Sequence, residues 1–231
     1  MMKKYIIIGC LFFLNGACKK INSNFELPIL GRTKIINKEV NGILTKDTIS
    51  HRIADFTFVN QDGAIVTNSS FKNKIYVADF FFINCPSICP EMSKQMYRIY
   101  EKFLENEHVS LLSHTIDPEY DTVAALANYA RLLGVNSKKW QFVTGDKEQI
   151  YDIGETSYMV IADEDKNAPG GFIHSGAFIL IDKERQVRGV YDGTVTSQVD
   201  LLIKDINKLL MLSLIHISEP TRLLSISYSV V

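Results

Sequence analysis

Cysteine is scarce in this sequence, with four residues in a chain of 231. Two of them, Cys10 and Cys18, lie in an N-terminal stretch whose character differs from the rest. Small exported scaffolds that depend on disulfides are dense in cysteine, so this count excludes that class. The other two, Cys85 and Cys89, are four positions apart and therefore belong to one site.

An excess of charge of one sign is also missing. The 25 lysines and arginines nearly balance the 26 aspartates and glutamates, for a formal net charge of −1. Binding to nucleic acid requires a basic surface, so we expect no nucleic-acid partner. Internal repeats and low-complexity tracts are absent, and 46% of residues are apolar. These values are typical of one globular domain of ordinary size.

The N-terminus has an apolar run that is too short to span a membrane. Lys3 and Lys4 precede the apolar segment 5–14, and Gly16-Ala17-Cys18 follows it. This arrangement is typical of an export signal. It resembles a relaxed bacterial lipobox, which predicts a signal peptide over 1–17, lipidation of Cys18 and a periplasm-facing location in the bacterial envelope. A simple cleaved signal or an uncleaved anchor helix is the alternative interpretation.

The remainder divides into three parts. Residues 18–47 are polar and lack sustained periodicity, which predicts a tether with room for local strand. Residues 48–211 carry regular apolar patterns and form the predicted domain. Residues 212–231 fit neither helical nor alternating periodicity and resemble translated adapter sequence, so we interpret them as a non-native tail.

Within the domain, strand and helix patterns alternate. The pattern predicts an initial hairpin turning at residues 60–63 and a strand at 74–83 that is covered on both faces. Further predicted elements, in chain order, are a helix 90–105, a strand 108–116, a helix ending at Gly134, a strand 139–143, a short helix 146–152, a strand 157–161, a hairpin 176–191 and a helix 197–211. This order predicts an α/β fold, with a mixed central sheet, helices on both faces and an N-terminal β-hairpin.

Cys85 and Cys89 lie where the apolar strand gives way to a helix. A thiol at a helix N-terminus is expected to have a lowered pKa, and the thiolate is the form that binds metals and attacks disulfides. His174 opens a later apolar strand and could complete a three-coordinate site. Two thiolates and one imidazole suit Cu(I), whereas Zn(II) would want a fourth ligand or water. The same cysteines could instead form a redox-active disulfide, and both interpretations stay open on this evidence.

Other candidates have simpler interpretations. The thioethers of Met92 and Met96 are expected in the core, as are the rings of Phe80–Phe82. The remaining histidines of the domain, His51, His108 and His114, are expected to have surface or structural roles. Asp117 and Asp121 flank a turn and are expected to cap the helix that follows.

The segments ADFTFVNQDG, CPSICPEM, TIDPEYDT and HSGAFILID together resemble the Sco/SenC family over about residues 48–211. The resemblance implies a thioredoxin-like fold that binds copper, as Cu(I) with Cu(II) as a second state, through Cys85, Cys89 and His174. It also implies a metallochaperone or thiol reductant for the copper site of cytochrome c oxidase. Many relatives have an aspartate before the histidine, where this chain has Ile173. We interpret the carboxylates at 163–165 as part of a solvated loop, with replacement of that aspartate by one of them as the alternative.

Two functions of other classes remain. The first is a thiol–disulfide oxidoreductase that uses Cys85 and Cys89 without metal, and the second is a redox or copper sensor. The expected partners are the copper-bearing subunit of cytochrome c oxidase or another periplasmic cuproprotein, and the membrane through the lipid anchor. His174 favours metal, because dithiol exchange needs no distant imidazole.

Overall fold

A computed structural model describes residues 26–40, 43–164 and 172–218. In these ranges the strands are β1 (Lys34–Val40), β2 (Ile43–Ile49), β3 (Thr57–Asn60), β4 (Ile65–Thr67), β5 (Ile75–Phe81), β6 (Val109–Thr115), β7 (Trp140–Thr144), β8 (Ala162–Glu164), β9 (Phe172–His174), β10 (Ala177–Ile181) and β11 (Val187–Asp192). The α-helices are α1 (Cys89–Lys102), α2 (Val123–Leu133), α3 (Lys147–Ile153) and α4 (Thr196–Ser218).

The core is a seven-stranded sheet in the order β11-β10-β5-β6-β7-β3-β4. Strands β5, β6 and β7 are parallel, while β10, β11, β3 and β4 join by antiparallel pairing. Every residue of β5 and β6 is buried, as expected for strands covered on both faces. The mixed central sheet predicted from the sequence is confirmed.

Helices cover both faces of this sheet. Side chains of a strand alternate between faces, so Phe80 and Phe81 point in opposite directions. On one face the ring of Tyr129 from α2 stacks on Phe81 at 5.6 Å between centroids. On the other face Tyr158, which follows α3, packs edge-on against Phe80, also at 5.6 Å.

The β3–β4 hairpin has the turn that the sequence predicts. The Asn60 carboxamide oxygen accepts hydrogen bonds from the backbone N–H groups of Asp62 and Ala64. Gly63 adopts a φ of +76°, a conformation that glycine allows at no steric cost. The hairpin at the start of the domain is therefore confirmed.

The strand predicted at 157–161 is wrong. A π-helical turn, Gly154–Tyr158, occupies this part of the chain, and Met159 then takes a φ of +59° before β8 begins. Tyr158 is fully buried and its hydroxyl lies 3.2 Å from that of Tyr76. Burial of this aromatic ring under the sheet outweighs the strand preference of its neighbours.

The predicted cap of α2 is also wrong. The side chain of Thr122, not of Asp117 or Asp121, accepts the hydrogen bond from the N–H of Ala125. Asp121 is buried and accepts hydrogen bonds from the Thr115 hydroxyl and from the backbone N–H of Ile83. Its carboxylate thus ties the end of β6 to the segment that follows β5.

Near the two ends of the described chain, the predicted tether contains a local hairpin and the last helix is longer than predicted. Part of the 18–47 region forms the antiparallel β1–β2 hairpin. Helix α4 continues to Ser218, beyond the helix end at residue 211 that the sequence predicts. Residues 1–25, with the predicted signal peptide and Cys18, and residues 219–231 lie outside the described residues. Within the described part, no helix has the length and apolar character needed to cross a bilayer.

Candidate metal centre

The cysteine pair is positioned by the crossover from β5 to α1. The chain leaves the sheet at Phe81 and enters α1 at Cys89. Pro90 is the second residue of this helix. A proline suits the first turn of a helix because no backbone hydrogen bond is needed there. The backbone between β5 and α1 forms a turn, in which the N–H of Cys85 donates a hydrogen bond to the carbonyl oxygen of Phe82, at 3.3 Å. Both cysteines therefore lie at the carboxyl edge of the parallel strands.

The two thiols are buried, with 6% of Cys85 and 4% of Cys89 exposed, and no disulfide joins them. The side chain of Cys89 is hydrogen-bonded to that of Cys85. The Cys85 sulfur also lies 3.5 Å from the Ser87 hydroxyl oxygen. The two sulfurs are thus held side by side, close enough to act on one atom.

A cleft of about 490 Å³ opens onto the two cysteines. Its walls come from the cysteine loop, α1 and α2, and are mainly apolar and aromatic: Ile83, Pro90, Tyr97, Tyr129, Leu132 and Leu133. The hydroxyl of Tyr129 lies 2.6 Å from that of Ser93, which links the two helices across the cleft. A mainly apolar lining suits a soft metal ion or a sulfur atom better than a hydrated cation, although Ser93 and Lys94 also line the cleft.

The expected lowering of the thiol pKa is wrong for Cys89. Burial raises the pKa of this thiol, and the neighbouring Cys85 and the charge of Asp79 raise it further. A hydrogen bond from the backbone of Phe82 opposes the increase without cancelling it. The loss of hydration outweighs the helix N-terminus, so Cys89 keeps its proton until a metal ion or a reaction partner displaces it.

The backbone that carries His174 lies against the cysteine loop. The ring of Phe172 packs on Phe82, with centroids 5.0 Å apart. A Cβ placed on Gly176 would lie 3.5 Å from the Ile88 side chain. Positions 172 and 176 therefore contact residues on each side of Cys85. The backbone of His174 is in β9, opposite Ala162 of β8, and its side chain lies outside the described part of the structure.

Other candidate ligands are elsewhere. Met92 and Met96 are buried in the core, as predicted. His51 bonds the Ser157 carbonyl oxygen at 2.7 Å and His108 is exposed, while His114 is completely buried. Among the side chains that the structure describes, no three His, Cys, Asp or Glu residues form a group able to hold a metal ion. The carboxylates at 163–165 lie outside the described side chains.

A buried carboxyl group, Asp79, was missed by the sequence reasoning. It lies in β5, and its charge acts on both Cys89 and Tyr129. Burial raises the pKa of Asp79 to about 7, and a hydrogen bond from Ser113 offsets part of that shift. The signal was a single acidic residue inside an apolar strand, where a charged side chain is rarely found without a reason.

The described residues fit a soft, low-coordinate metal ion. Cys85 and Cys89 supply two sulfur donors in a mainly apolar pocket, and positions 172 and 176 contact the segment that carries them. Soft thiolate donors select ions such as Cu(I), while a hard cation would require oxygen ligands. The donor chemistry of the pair therefore agrees with copper.

Comparison with known proteins gives a consistent result. The model of the SCO1/SenC family matches residues 45–211. A curated relative, the SCO1 protein homolog of Bacillus subtilis (strain 168), is 31% identical over 163 residues. That match covers 70% of this chain and 84% of the relative.

Solved structures agree with the family match. A SCO1/SenC family lipoprotein from Bacillus anthracis str. Ames superposes with a TM-score of 0.64 at 28% identity, covering 69% of this chain and 95% of that one. BsSco is described with a disulfide switch and as a member of the Sco family of cytochrome c oxidase assembly proteins. It superposes with a TM-score of 0.61 at 30% sequence identity, covering 69% of this chain and 93% of that one. Copper-bound ScoI of Arabidopsis thaliana superposes with a TM-score of 0.57 at 26% sequence identity, covering 67% of this chain and 98% of that one. These neighbours confirm the thioredoxin-like fold.

Proposed function

Because the chain belongs to the SCO1/SenC family, we propose that it binds copper through Cys85, Cys89 and His174 and assists assembly of the copper site of cytochrome c oxidase. One observation carries this proposal. Two buried thiols share one apolar cleft, and the backbone that bears His174 packs against the loop between them.

The chain's own residues would act on copper as cargo. Cys85 and Cys89 would release their protons on binding, which makes affinity rise with pH. The raised pKa of Cys89 strengthens this dependence. The aromatic and aliphatic side chains that line most of the cleft suit a soft ion better than a hydrated one.

The relatives support this choice of client. BsSco is described among assembly proteins of cytochrome c oxidase, and ScoI of Arabidopsis thaliana is solved with copper bound. By this likeness, the copper-bearing subunit of the oxidase, or another periplasmic cuproprotein, receives the ion. Transfer requires the sulfur ligands of the client to reach the same open cleft beside Cys85 and Cys89.

Anaerobic titration of the reduced full chain with Cu(I), against a competing chelator, tests the ligand set. We expect one equivalent to bind, and Cys85→Ser, Cys89→Ser or His174→Ala to weaken affinity by more than about 100-fold, since even supporting residues contribute about 10- to 100-fold. His108→Ala is the matched control, because this exposed histidine lies outside the cleft. Unchanged affinity in His174→Ala would remove the histidine from the site.

Thiol–disulfide exchange is the second candidate, and the contact between the two cysteine side chains favours it. BsSco is described with a disulfide switch, so one chain could use both chemistries. Two electrons and two protons leave the thiols when the disulfide forms, and a client disulfide accepts them. Equilibration of the chain with glutathione buffers gives its reduction potential. Bound Cu(I) should block oxidation, because the same sulfurs cannot serve both reactions.

We also infer a lipid anchor at Cys18 that holds the domain on the periplasmic side of the bacterial envelope. The signal pattern before Cys18 supports this inference, and a Bacillus anthracis neighbour is described as a lipoprotein. Labelling with a fatty-acid analogue should mark the wild type and not Cys18→Ala. Unlabelled wild-type protein in the soluble periplasmic fraction would contradict the anchor.

A further inference from the structure

The β1–β2 hairpin projects from the domain. Every side chain that the structure describes in these two strands is exposed, including several large apolar ones. The exposed fractions are 67% for Ile35, 38% for Ile36, 76% for Leu44 and 47% for Ile49. A two-stranded hairpin alone is marginally stable in water, and exposed apolar side chains on it indicate a surface that covers them.

The base of the hairpin is fixed at the end of the sheet farthest from the cysteines. Leu30 pairs with Val187, and the N–H of Ile53 donates to the Arg185 carbonyl. Both contacts involve the turn between β10 and β11. Because β10 is antiparallel to β5, this turn lies at the start of β5, whereas the cysteines follow its end. The base of the hairpin and the cysteine cleft are therefore separated by about the length of β5, about 23 Å at 3.3 Å per residue.

The chain just before the hairpin is clamped to the same end. Arg188 donates to the carbonyl oxygens of Leu27 and Pro28 and forms an ion pair with Asp182 at 2.8 Å. Both charged side chains of this pair are largely buried, and Leu27 is buried too. Residues 26–30 therefore form a fixed strap, and the chain that leads to Cys18 departs from this pole.

The distance to the proposed anchor is short. Eight positions separate Cys18 from Glu26. A fully extended chain of that length spans at most about 29 Å. The strap therefore lies within about 29 Å of the acylated residue, and the hairpin lies on the same side of the domain. The bilayer is the large surface within reach of the hairpin.

The composition of the hairpin suits a lipid surface with anionic headgroups. At the connected end of the hairpin the register pairs Val40 with Ile43 and Glu39 with Leu44, and Lys38 and Lys46 lie in the next two pairs. Over residues 34–49 three basic residues outnumber two acidic ones, which gives a net charge of +1, and Arg32 just before β1 adds one more positive charge. Lysines behind an apolar tip can reach phosphate groups while the tip enters the interface. Apolar side chains occur on both faces of the hairpin, which favours entry by the tip over lying flat.

We propose that the β1–β2 hairpin inserts its tip into the headgroup region of an anionic bilayer and, with the strap, holds the cysteine cleft facing away from the membrane. The inference rests on the proposed anchor for the proximity of the bilayer. It assigns residues 34–49 a membrane-docking role that is separate from copper binding. It also gives the cleft an outward orientation, open to a client.

Tryptophan quenching tests the insertion. The full chain, purified from membranes, is placed in phosphatidylglycerol–phosphatidylcholine liposomes with or without brominated acyl chains. Leu44→Trp is compared with Ile65→Trp, a matched control on β4 whose native side chain is similarly exposed, at 71%. The native Trp140 is buried and gives the same background in both variants. We expect quenching of Trp at position 44 to be at least about threefold stronger than at position 65, with a blue-shifted emission.

The outcomes are separable. Equal quenching at positions 44 and 65 would overturn the proposal. Reversing the charge of both lysines behind the tip, Lys38→Glu with Lys46→Glu, should reduce the quenching by at least about twofold, and no reduction would overturn the role of anionic headgroups. Mass spectrometry of the Cys18 peptide reports the anchor independently, since the apolar N-terminal segment would still hold an unacylated chain on the liposome. Cu(I) titration of the same variants reports the copper site, which the hairpin proposal leaves unchanged.

Discussion

Asp79 and His114 are buried ionisable side chains on opposite faces of the central sheet, in the neighbouring strands β5 and β6. Asp79 lies beside Ser113 on the face that supports the cysteines, and His114 lies beside Phe80 on the opposite face. One carboxylate oxygen of Asp79 and both ring nitrogens of His114 lack a hydrogen bond of good geometry. Burial raises the pKa of Asp79 to about 7 and lowers the pKa of His114 to about 3.

The difference between the faces lies in what surrounds the buried group. Asp79 accepts a hydrogen bond from Ser113, whose oxygen in turn accepts from the Trp140 ring N–H at 2.8 Å. His114 is enclosed by aromatic rings and stacks on Phe80 at 4.8 Å, with only the backbone of Asp79 opposing its shift. The same loss of hydration keeps both groups neutral, since it penalises whichever form is charged.

Neutral burial of an acid and of a base has opposite consequences for stability. Native Asp79 holds its proton up to about pH 7, while the unfolded chain releases it near pH 4, so Asp79 makes stability fall as pH rises between these values. The unfolded chain protonates His114 near pH 6.5, while the native protein does so only near pH 3. His114 therefore makes stability fall as pH decreases. Over roughly pH 4 to 6.5 the two side chains therefore change stability in opposite directions as pH changes.

Replacing Asp79 should give the largest effect. We expect Asp79→Asn to be more stable relative to wild type at pH 8 than at pH 4 by about 4 kcal/mol, because the variant never ionises a buried carboxyl group. Urea unfolding followed by the fluorescence of the buried Trp140 measures the difference. Asp152→Asn, at an exposed position of α3, is the control and should change little between the two pH values. The same relative stability of Asp79→Asn at both pH values would show that the carboxyl group is hydrated.

Replacing His114 should change the pH dependence of stability in the opposite direction. We expect His114→Leu to gain about 3 kcal/mol relative to wild type on going from pH 6.5 to pH 4, because its unfolded state no longer takes up this proton. The relative value cancels any fixed packing cost of the substitution. His108→Leu, on the exposed side of the domain, provides the control.

The two effects should add in the double variant, since the side chains lie on opposite faces and share no side-chain partner. A coupling larger than about 0.5 kcal/mol between Asp79→Asn and His114→Leu would mean that the faces communicate through the sheet. In that case the comparison between independent faces would fail.

The sheet could be predicted from the sequence, and these two buried groups could not. The run from Ile75 to Phe81 predicts a strand covered on both faces, because apolar side chains alternate with little interruption. A single aspartate in that run does not reveal whether a serine on the next strand will bond it. His114 stands between Ser113 and Thr115, a pattern that suggests a strand edge, yet the strand pairing places all three in the core.

The candidate site shows the same limit. Local sequence places Cys85 and Cys89 at a strand–helix junction, and the structure agrees. The lowered thiol pKa expected from the helix N-terminus did not follow, because burial of Cys89 depends on α2 and on distant segments. The role of Asp121 was missed for a related reason, since its partners lie on β6 and beside the end of β5. Local patterns predict elements, while hydration depends on how those elements pack.

The smallest expected effect concerns the hydrogen bond that distinguishes the Asp79 face. Ser113→Ala removes the donor that lowers the pKa of Asp79, so this pKa should rise above 7 by about one unit, because a hydrogen bond contributes about 1 kcal/mol. The pH at which stability stops falling should move upward by the same amount. Ser110→Ala is the matched control, since this buried serine lies on the opposite face of β6. The unpaired Trp140 ring N–H adds a cost that does not vary with pH, which separates it from the shift at Asp79. If that pH stays unchanged in Ser113→Ala, burial alone determines the pH at which Asp79 ionises, and the hydrogen bonds from Trp140 to Ser113 and from Ser113 to Asp79 do not.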